Sequence, residues 1–266
     1  KEQHGIRDFC LSRGLGDVYK RQDHYSGGSM NGLVSILERE LYAYFRSPVA
    51  YVFIIVFLMA STSCTFFLGG FYESQQASLE IFFLFHPWLY LFLIPAVGMR
   101  LWAEEHRSGT AELLLTFPIH PFTAVLGKFL AGWIFIGLAL LLTFPMIITV
   151  NYLGQPDPGP IFTGYLGSFL MAGAYLAISI CTSALTKNQV ISFILSVVIC
   201  LILVLLGWGV LTDSLNKLFP VWIADLISQF SFTTHFDAIR RGVIDFRDVI
   251  YFCSIIGIMV GLNVCI

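Results

Sequence analysis

The charged side chains that could do chemistry are concentrated in one polar segment, Arg100 to Lys128. Its first half carries Glu104, Glu105 and Arg107, whose charges suit ionic contacts with a partner in water. Long uncharged runs flank the segment on both sides, so it is a place where a membrane protein can be driven from outside the bilayer. These residues therefore predict a contact site for a partner.

The histidines and the one glycine-lysine pair give no catalytic or metal-binding pattern. Lone histidines in apolar segments are more often packed than ligating, and no His-x-x-x-His spacing occurs among His86, His106, His120 and His235. Phe129 follows Gly127-Lys128, where a phosphate-binding loop needs Ser or Thr. We predict no catalytic residue, no metal and no cofactor in this chain, so any ATP is bound by a partner subunit.

The elements that must position the polar segment are membrane-spanning helices. The chain is 57% hydrophobic and 12% charged, against about 25% charged residues in globular domains. A crossing needs roughly 20 apolar residues. We therefore predict an all-α polytopic membrane protein with six spans, at about 49–71, 81–99, 129–150, 165–185, 190–211 and 249–266.

The middle of every predicted span lacks Asp, Glu, Lys and Arg. A charge at the bilayer centre costs about 2.5 to 3.5 kcal/mol, so ion-coupled carriers keep such residues only where coupling needs them. The lack of these charged residues argues against a proton- or sodium-coupled carrier, although backbone carbonyls can also hold sodium. Small residues in the fourth span predict close helix approach or plain lipid contact: Gly167, Ser168, Ala172 and Gly173.

Two amphipathic segments accompany the spans. From Leu33 to Phe45, apolar residues recur at helical spacing, which predicts an N-terminal interfacial helix that ends at Ser47-Pro48. A second apolar face between Leu215 and Phe230 predicts another interfacial helix before the last span. After it we expect a polar turn at Arg240-Arg241-Gly242, and a surface ion network rather than a substrate site, formed by Asp237, Arg240, Arg241, Asp245, Arg247 and Asp248.

The first 29 residues do not resemble the rest of the chain. They are polar, start without Met, carry five of the 15 Lys and Arg, and contain Asp-Val-Tyr-Lys-Arg-Gln, which resembles translated sequencing adapter. We expect residues 1–29 to be a non-native tail and 30–266 to be a single transmembrane domain whose native C-terminus is longer. An ordinary disordered tail is the alternative.

Loop charges set the expected orientation. Six cations fall on one side of the six predicted spans: Arg39, Arg46, Arg100, Arg107, Lys128 and Lys187. Cytoplasmic loops are enriched in Lys and Arg, so that side and the N-terminus should be cytoplasmic. The long loop before the last span disagrees, because it also carries cations. Outside the tail, ten Lys and Arg face 13 Asp and Glu, which gives no support for a nucleic-acid partner.

Several strings resemble one family. They are Arg46-Ser47-Pro48, Phe92 to Arg100, Glu104-Glu105-His-Arg107-Ser-Gly109-Thr110-Ala-Glu112-Leu-Leu-Leu, and Leu126-Gly127-Lys128. Together with Leu185 to Gln189 and Arg241 to Asp248, they resemble type-2 ABC-transporter permeases of exporter type. The similarity is to the branch with gliding-motility permeases and the permease of nitrous-oxide-reductase maturation.

The resemblance implies a six-span subunit of the bacterial inner membrane. It would pair with a second permease copy or paralogue and bind a cytoplasmic ABC ATPase, exporting an unidentified substrate. The implied ATPase contacts are Arg39, Arg46, Glu104, Glu105, Arg107, Gly109, Thr110 and Glu112. Thr110 can cap a short helix with Glu112 in its first turn. Reversing the charge at Glu104 and Glu105 should uncouple ATPase activity from transport.

Three other readings stay open at this point. An intramembrane enzyme is the most distant, because the sequence shows no buried constellation of acid, base or nucleophile. A channel or secondary carrier would transport in liposomes without ATP or a partner. A solvated loop that serves only topology would leave the polar segment without any contact role.

Overall fold

The structure of the chain, a computed structural model, describes residues 29–73, 78–109, 120–209 and 228–266. The regular elements in these ranges are helices. In chain order they are α1 (Ser29–Arg46), α2 (Pro48–Ser63) with a π-helical turn (Cys64–Leu68), α3 (Glu80–Leu84), α4 (His86–Gly98), α5 (Arg100–Ser108), α6 (Pro121–Leu141), α7 (Phe144–Leu153), α8 (Pro158–Leu185), α9 (Gln189–Leu205), α10 (Phe232–Arg240) and α11 (Phe246–Cys265).

Four helical stretches in the described ranges are long and apolar enough to cross a membrane. They are Pro48–Leu68, Pro121–Leu153, Pro158–Leu185 and Phe246–Cys265, which correspond to the predicted first, third, fourth and sixth spans. The predicted second span is divided at Phe85 into α3 and α4, and the predicted fifth span is α9 with 17 residues. The all-helical prediction is confirmed, and the count of six spans stays a prediction.

Helix α8 is the central element. Every residue from Met171 to Ser183 is buried, as expected for a helix surrounded by neighbours, and α8 contacts α4, α5, α6, α9, α10 and α11. Small residues make these approaches possible. A Cβ at Gly167 would collide with Ile239, and one at Gly173 would lie 2.8 Å from Trp133 Nε1. The prediction of close approach through small residues is therefore confirmed at these two positions.

The helix ends follow local sequence signals. Asp157, Asn188, Ser231 and Asp245 each accept a hydrogen bond from a first-turn amide of the helix that follows. The third predicted span starts earlier than expected, because His120 caps α6 and Pro121 occupies its first position. Lys128, which the sequence placed in a loop at the start of that span, is consequently inside a helix.

At the end of the bundle where α3 begins, ion pairs join α10 to α3. The Arg240 guanidinium lies 2.7 Å from Asp237 and 3.2 Å from Glu80. Gly242, with φ +95°, turns the chain toward α11. The predicted turn and the Arg240–Asp237 contact are present, whereas the partner Glu80 was not anticipated. The predicted interfacial helix at 215–230 lies almost entirely outside the described residues, as do residues 1–28.

Candidate functional site

Helix α5 carries the first half of the polar segment, and its N-terminus is capped by another helix. The first amides of a helix have no partner within it. Here Ser183, near the end of α8, accepts hydrogen bonds from the amides of Trp102 at 3.1 Å and Ala103 at 3.0 Å. Its hydroxyl donates to the Met99 carbonyl at 2.8 Å. One side chain thus fixes the turn between α4 and α5 to the central helix.

The other end of α5 is closed by Gly109. This residue has φ +72°, a left-handed conformation that glycine adopts without strain, and its amide donates to the Glu105 carbonyl. The sequence predicted a helix starting at Thr110 with Glu112 in its first turn. Both residues lie outside the described part of the chain, so their capping and contact roles stay predictions.

The inner face of α5 is held by Lys128 of α6, whose side chain is only 1% exposed. Its ammonium donates to Glu105 Oε1 at 2.6 Å and to the Leu101 carbonyl at 3.0 Å. It also lies 4.8 Å from the centre of the Trp102 ring. A buried charge is tolerated when it is paired and hydrogen-bonded, and this one is both.

Helix α1 joins the same site. Glu40 Oε1 lies 3.6 Å from the Lys128 ammonium and 2.7 Å from Arg39. The helix is positioned along α6 by a close approach, since a Cβ on Gly127 would lie 2.8 Å from Ile36. We name Glu40, Leu101, Trp102, Glu105 and Lys128 the Lys128 cluster. It connects α1, α5 and α6.

The ring of Tyr44 also fixes α1 against α6. It stacks on Phe135 with ring centroids 5.1 Å apart and planes within 6°. This contact lies one helical turn beyond Glu40, so ionic and aromatic contacts on the same face of α1 hold it in one register. The amphipathic helix expected from the sequence is therefore present and packs on protein. Its interfacial position in a membrane stays a prediction.

The predicted contact residues fall into two groups. Glu105 points inward, into the Lys128 cluster. Glu104 and Arg107 lie on the exposed side of α5, and Glu104 pairs with Arg100 at 3.5 Å one turn earlier. Arg39 and Arg46 are exposed on α1, Arg46 in its last turn. The structure thus presents exposed charges on two helices that share one buried anchor.

Sequence reasoning missed Lys128, Glu40 and Ser183 as parts of this site. A signal for Lys128 was available, because a lysine seven residues after Pro121 must lie in the second turn of a helix that starts there. A lysine inside an otherwise apolar helix needs a buried acceptor. No comparable signal identifies Ser183, since its role depends on where α8 ends relative to α5.

These features define a class: a multi-pass helical membrane protein with a short charged helix held rigidly at one end of its bundle. The sequence model of the family described as ABC-2 family transporter protein matches residues 69–265, about three quarters of the chain. The chain therefore belongs to the ABC-2 family and is the membrane subunit of an ABC transporter, which works with an ATP-binding partner. No curated protein matches it significantly.

The family match covers α5, α6 and α8, and hence Ser183 and all of the Lys128 cluster except Glu40. The predicted resemblance to ABC permeases is confirmed at the level of the family. The narrower resemblance to the gliding-motility and nitrous-oxide-reductase branch stays a prediction.

Proposed function

We propose that this chain is the permease subunit of an ATP-driven exporter in a bacterial inner membrane. In this proposal α5 and α1 face the cytoplasm and receive the motion of an ABC ATPase. The observation that carries it is the double anchoring of α5, by Ser183 at its N-terminus and by Lys128 on its inner face.

Rigid anchoring matters because force is transmitted only by an element that moves as a unit. A push on α5 would displace the end of α8 through Ser183, and α6 and α1 through the Lys128 cluster. The exposed Glu104 and Arg107 would supply ionic contacts to the ATPase, with Arg39 and Arg46 on α1 adding a second contact. Charged groups at such interfaces set orientation and partner choice.

The orientation and stoichiometry are further parts of the proposal. The end of the bundle with α5 also carries Arg39, Arg46, Lys128 and Lys187, and this excess of cations supports a cytoplasmic location. With six spans, both ends of the domain would lie on the same side of the membrane. The crossings by α4 and α9 would complete the six. Two such subunits, identical or paralogous, would form the transport pathway between them.

The test is co-purification of the chain with the ABC ATPase encoded beside it, scored by complex formation and ATP hydrolysis. Glu104→Lys is the informative variant, since reversing Glu105 would also place a like charge beside Lys128. We expect Glu104→Lys to weaken association about tenfold or more, because like charges at an interface cost several kcal/mol. The control is Glu73→Lys, an exposed glutamate beyond the far end of α2.

Association that is unchanged in Glu104→Lys would contradict the assigned contact. A chain that binds no ATPase and transports in liposomes without ATP would instead establish the channel or secondary-carrier reading.

A further inference from the structure

A cavity of about 550 Å³ opens beside the Lys128 cluster, between α1, α2, α4 and α5. This volume is within the range of small-molecule sites. One side of the cavity is apolar, lined by Val49, Val52, Val56, Leu93 and Val97. The three valines from α2 are 43 to 58% exposed, so the cavity is open along α2 toward the region that the bilayer would fill.

The other end of the cavity is polar and carries both signs of charge. Arg100 and Glu104 both line it. The guanidinium of Arg100 has five N–H donors, and its 3.5 Å contact with Glu104 leaves donors for a further anion. Lys128 and Glu105 also reach this end, but each already bonds to the other.

We propose that the cavity binds a phospholipid whose headgroup carries both a phosphate and a primary ammonium, as in phosphatidylethanolamine. Arg100 donates hydrogen bonds to the phosphate, and the Glu104 carboxylate accepts from the ammonium. One acyl chain lies along Val52 and Val56. A headgroup with one positive and one negative charge complements Glu104 and Arg100, whereas a purely anionic headgroup would be repelled by the carboxylate of Glu104.

The placement of this site gives the lipid a structural role. The headgroup would touch the start of α5 through Arg100 and its outer face through Glu104, and the acyl chain would lie along α2. The lipid would therefore fill the space between α2 and α5, beside the Lys128 cluster.

The experiment measures lipid retention by native mass spectrometry. The whole chain, stripped of lipid in detergent, is exposed to vesicles of phosphatidylcholine with equal parts of phosphatidylethanolamine or phosphatidylglycerol. We expect phosphatidylethanolamine to be retained about tenfold over either competitor, the effect of one charge-assisted hydrogen bond. Glycerophosphoethanolamine, which has the headgroup without chains, should compete only weakly.

Three variants assign the site. Arg100→Gln should lower the retention of all three lipids about tenfold, and Glu104→Gln should remove the preference over phosphatidylcholine. Val52→Trp should block retention by filling the apolar side. Ile55→Trp is the matched control, since Ile55 is equally exposed on α2 but lies outside the cavity lining.

Four outcomes would overturn the proposal. They are equal retention of the three lipids, equal loss in Val52→Trp and Ile55→Trp, full binding of the soluble headgroup alone, and a Val52→Trp chain that loses a dimer while keeping its lipid. The last result would show that a second copy covers this face.

Discussion

The ammonium of Lys128 lies 2.6 Å from the carboxylate of Glu105, and the two residues belong to helices joined by a segment of chain outside the described residues. Their contact joins α5 directly to α6. Because Lys128 also bonds to the Leu101 carbonyl, it fixes α5 at two points one helical turn apart. A pair of this kind determines the position of a helix more than it adds stability.

Replacing Lys128 by Met should destabilise the chain by about 2–4 kcal/mol, because Glu105 and Glu40 would lose their buried counter-charge. Thermal unfolding in detergent measures the change. The double variant Lys128→Met with Glu105→Gln should recover part of the loss, since the uncompensated carboxylate is then neutral. The single variant Glu105→Gln completes the cycle, and strictly additive changes would mean that the two side chains do not interact.

Ser183→Ala removes the group that caps α5 from the neighbouring helix. Two first-turn amides lose their acceptor, which should cost about 1–2 kcal/mol. The matched control is Ser254→Ala on the exposed face of α11. In the complex with the ATPase, Ser183→Ala should lower transport more than ATP hydrolysis, because the link between α5 and α8 is weakened. A parallel loss of both would assign Ser183 a role in stability alone.

Much of this fold could be predicted from hydropathy, and the reasons are physical. The uncharged runs located the four spanning stretches, and most of their ends were predicted to within a few residues. The reason is that the thickness of the bilayer sets the length of an apolar run. Two starts were exceptions: α8 begins seven residues before its predicted span, and α6 begins eight residues before its own, with Thr123 and Lys128 among its first eight residues. The helix starts where His120 and Pro121 place it, not where the polar residues stop.

The candidate site was less predictable than the fold. The sequence identified Glu104, Glu105 and Arg107 by charge. Adjacent residues on a helix point in directions about 100° apart, so charge alone could not show that Glu105 points inward. That difference depends on which face of α5 meets α6. The anchor Ser183 was not foreseen, because it is 80 residues away in the chain from the amides that it caps.

At the opposite end of the bundle, Arg240→Gln should destabilise the chain by about 1–2 kcal/mol. The Arg240 side chain is 10% exposed and bonds to both Asp237 and Glu80, so it connects α10 with α3. Arg241→Gln is the control, because that side chain is 65% exposed and 3.8 Å from Glu80, and should change stability by less than about 0.5 kcal/mol. Unfolding midpoints of the two variants give the comparison. If both arginines prove equally dispensable, the contact between α10 and α3 does not depend on the ion pair.

Gly98→Ala tests the close approach of α4 to the central helix just before α5 begins. A Cβ at Gly98 would collide with the Ser179 side chain, which itself bonds to the Pro95 carbonyl at 3.5 Å. Forcing the helices apart should cost about 1–3 kcal/mol and lower the unfolding midpoint. Gly257→Ala is the control, since its Cβ would meet nothing within 4 Å in this chain.

Because α4 leads directly into α5, the Gly98 variant should also shift Met99 away from Ser183 and weaken the cap. Combining Gly98→Ala with Ser183→Ala should then cost less than the sum of the two changes, and strict additivity would show that the approach of α4 and the capping of α5 are independent.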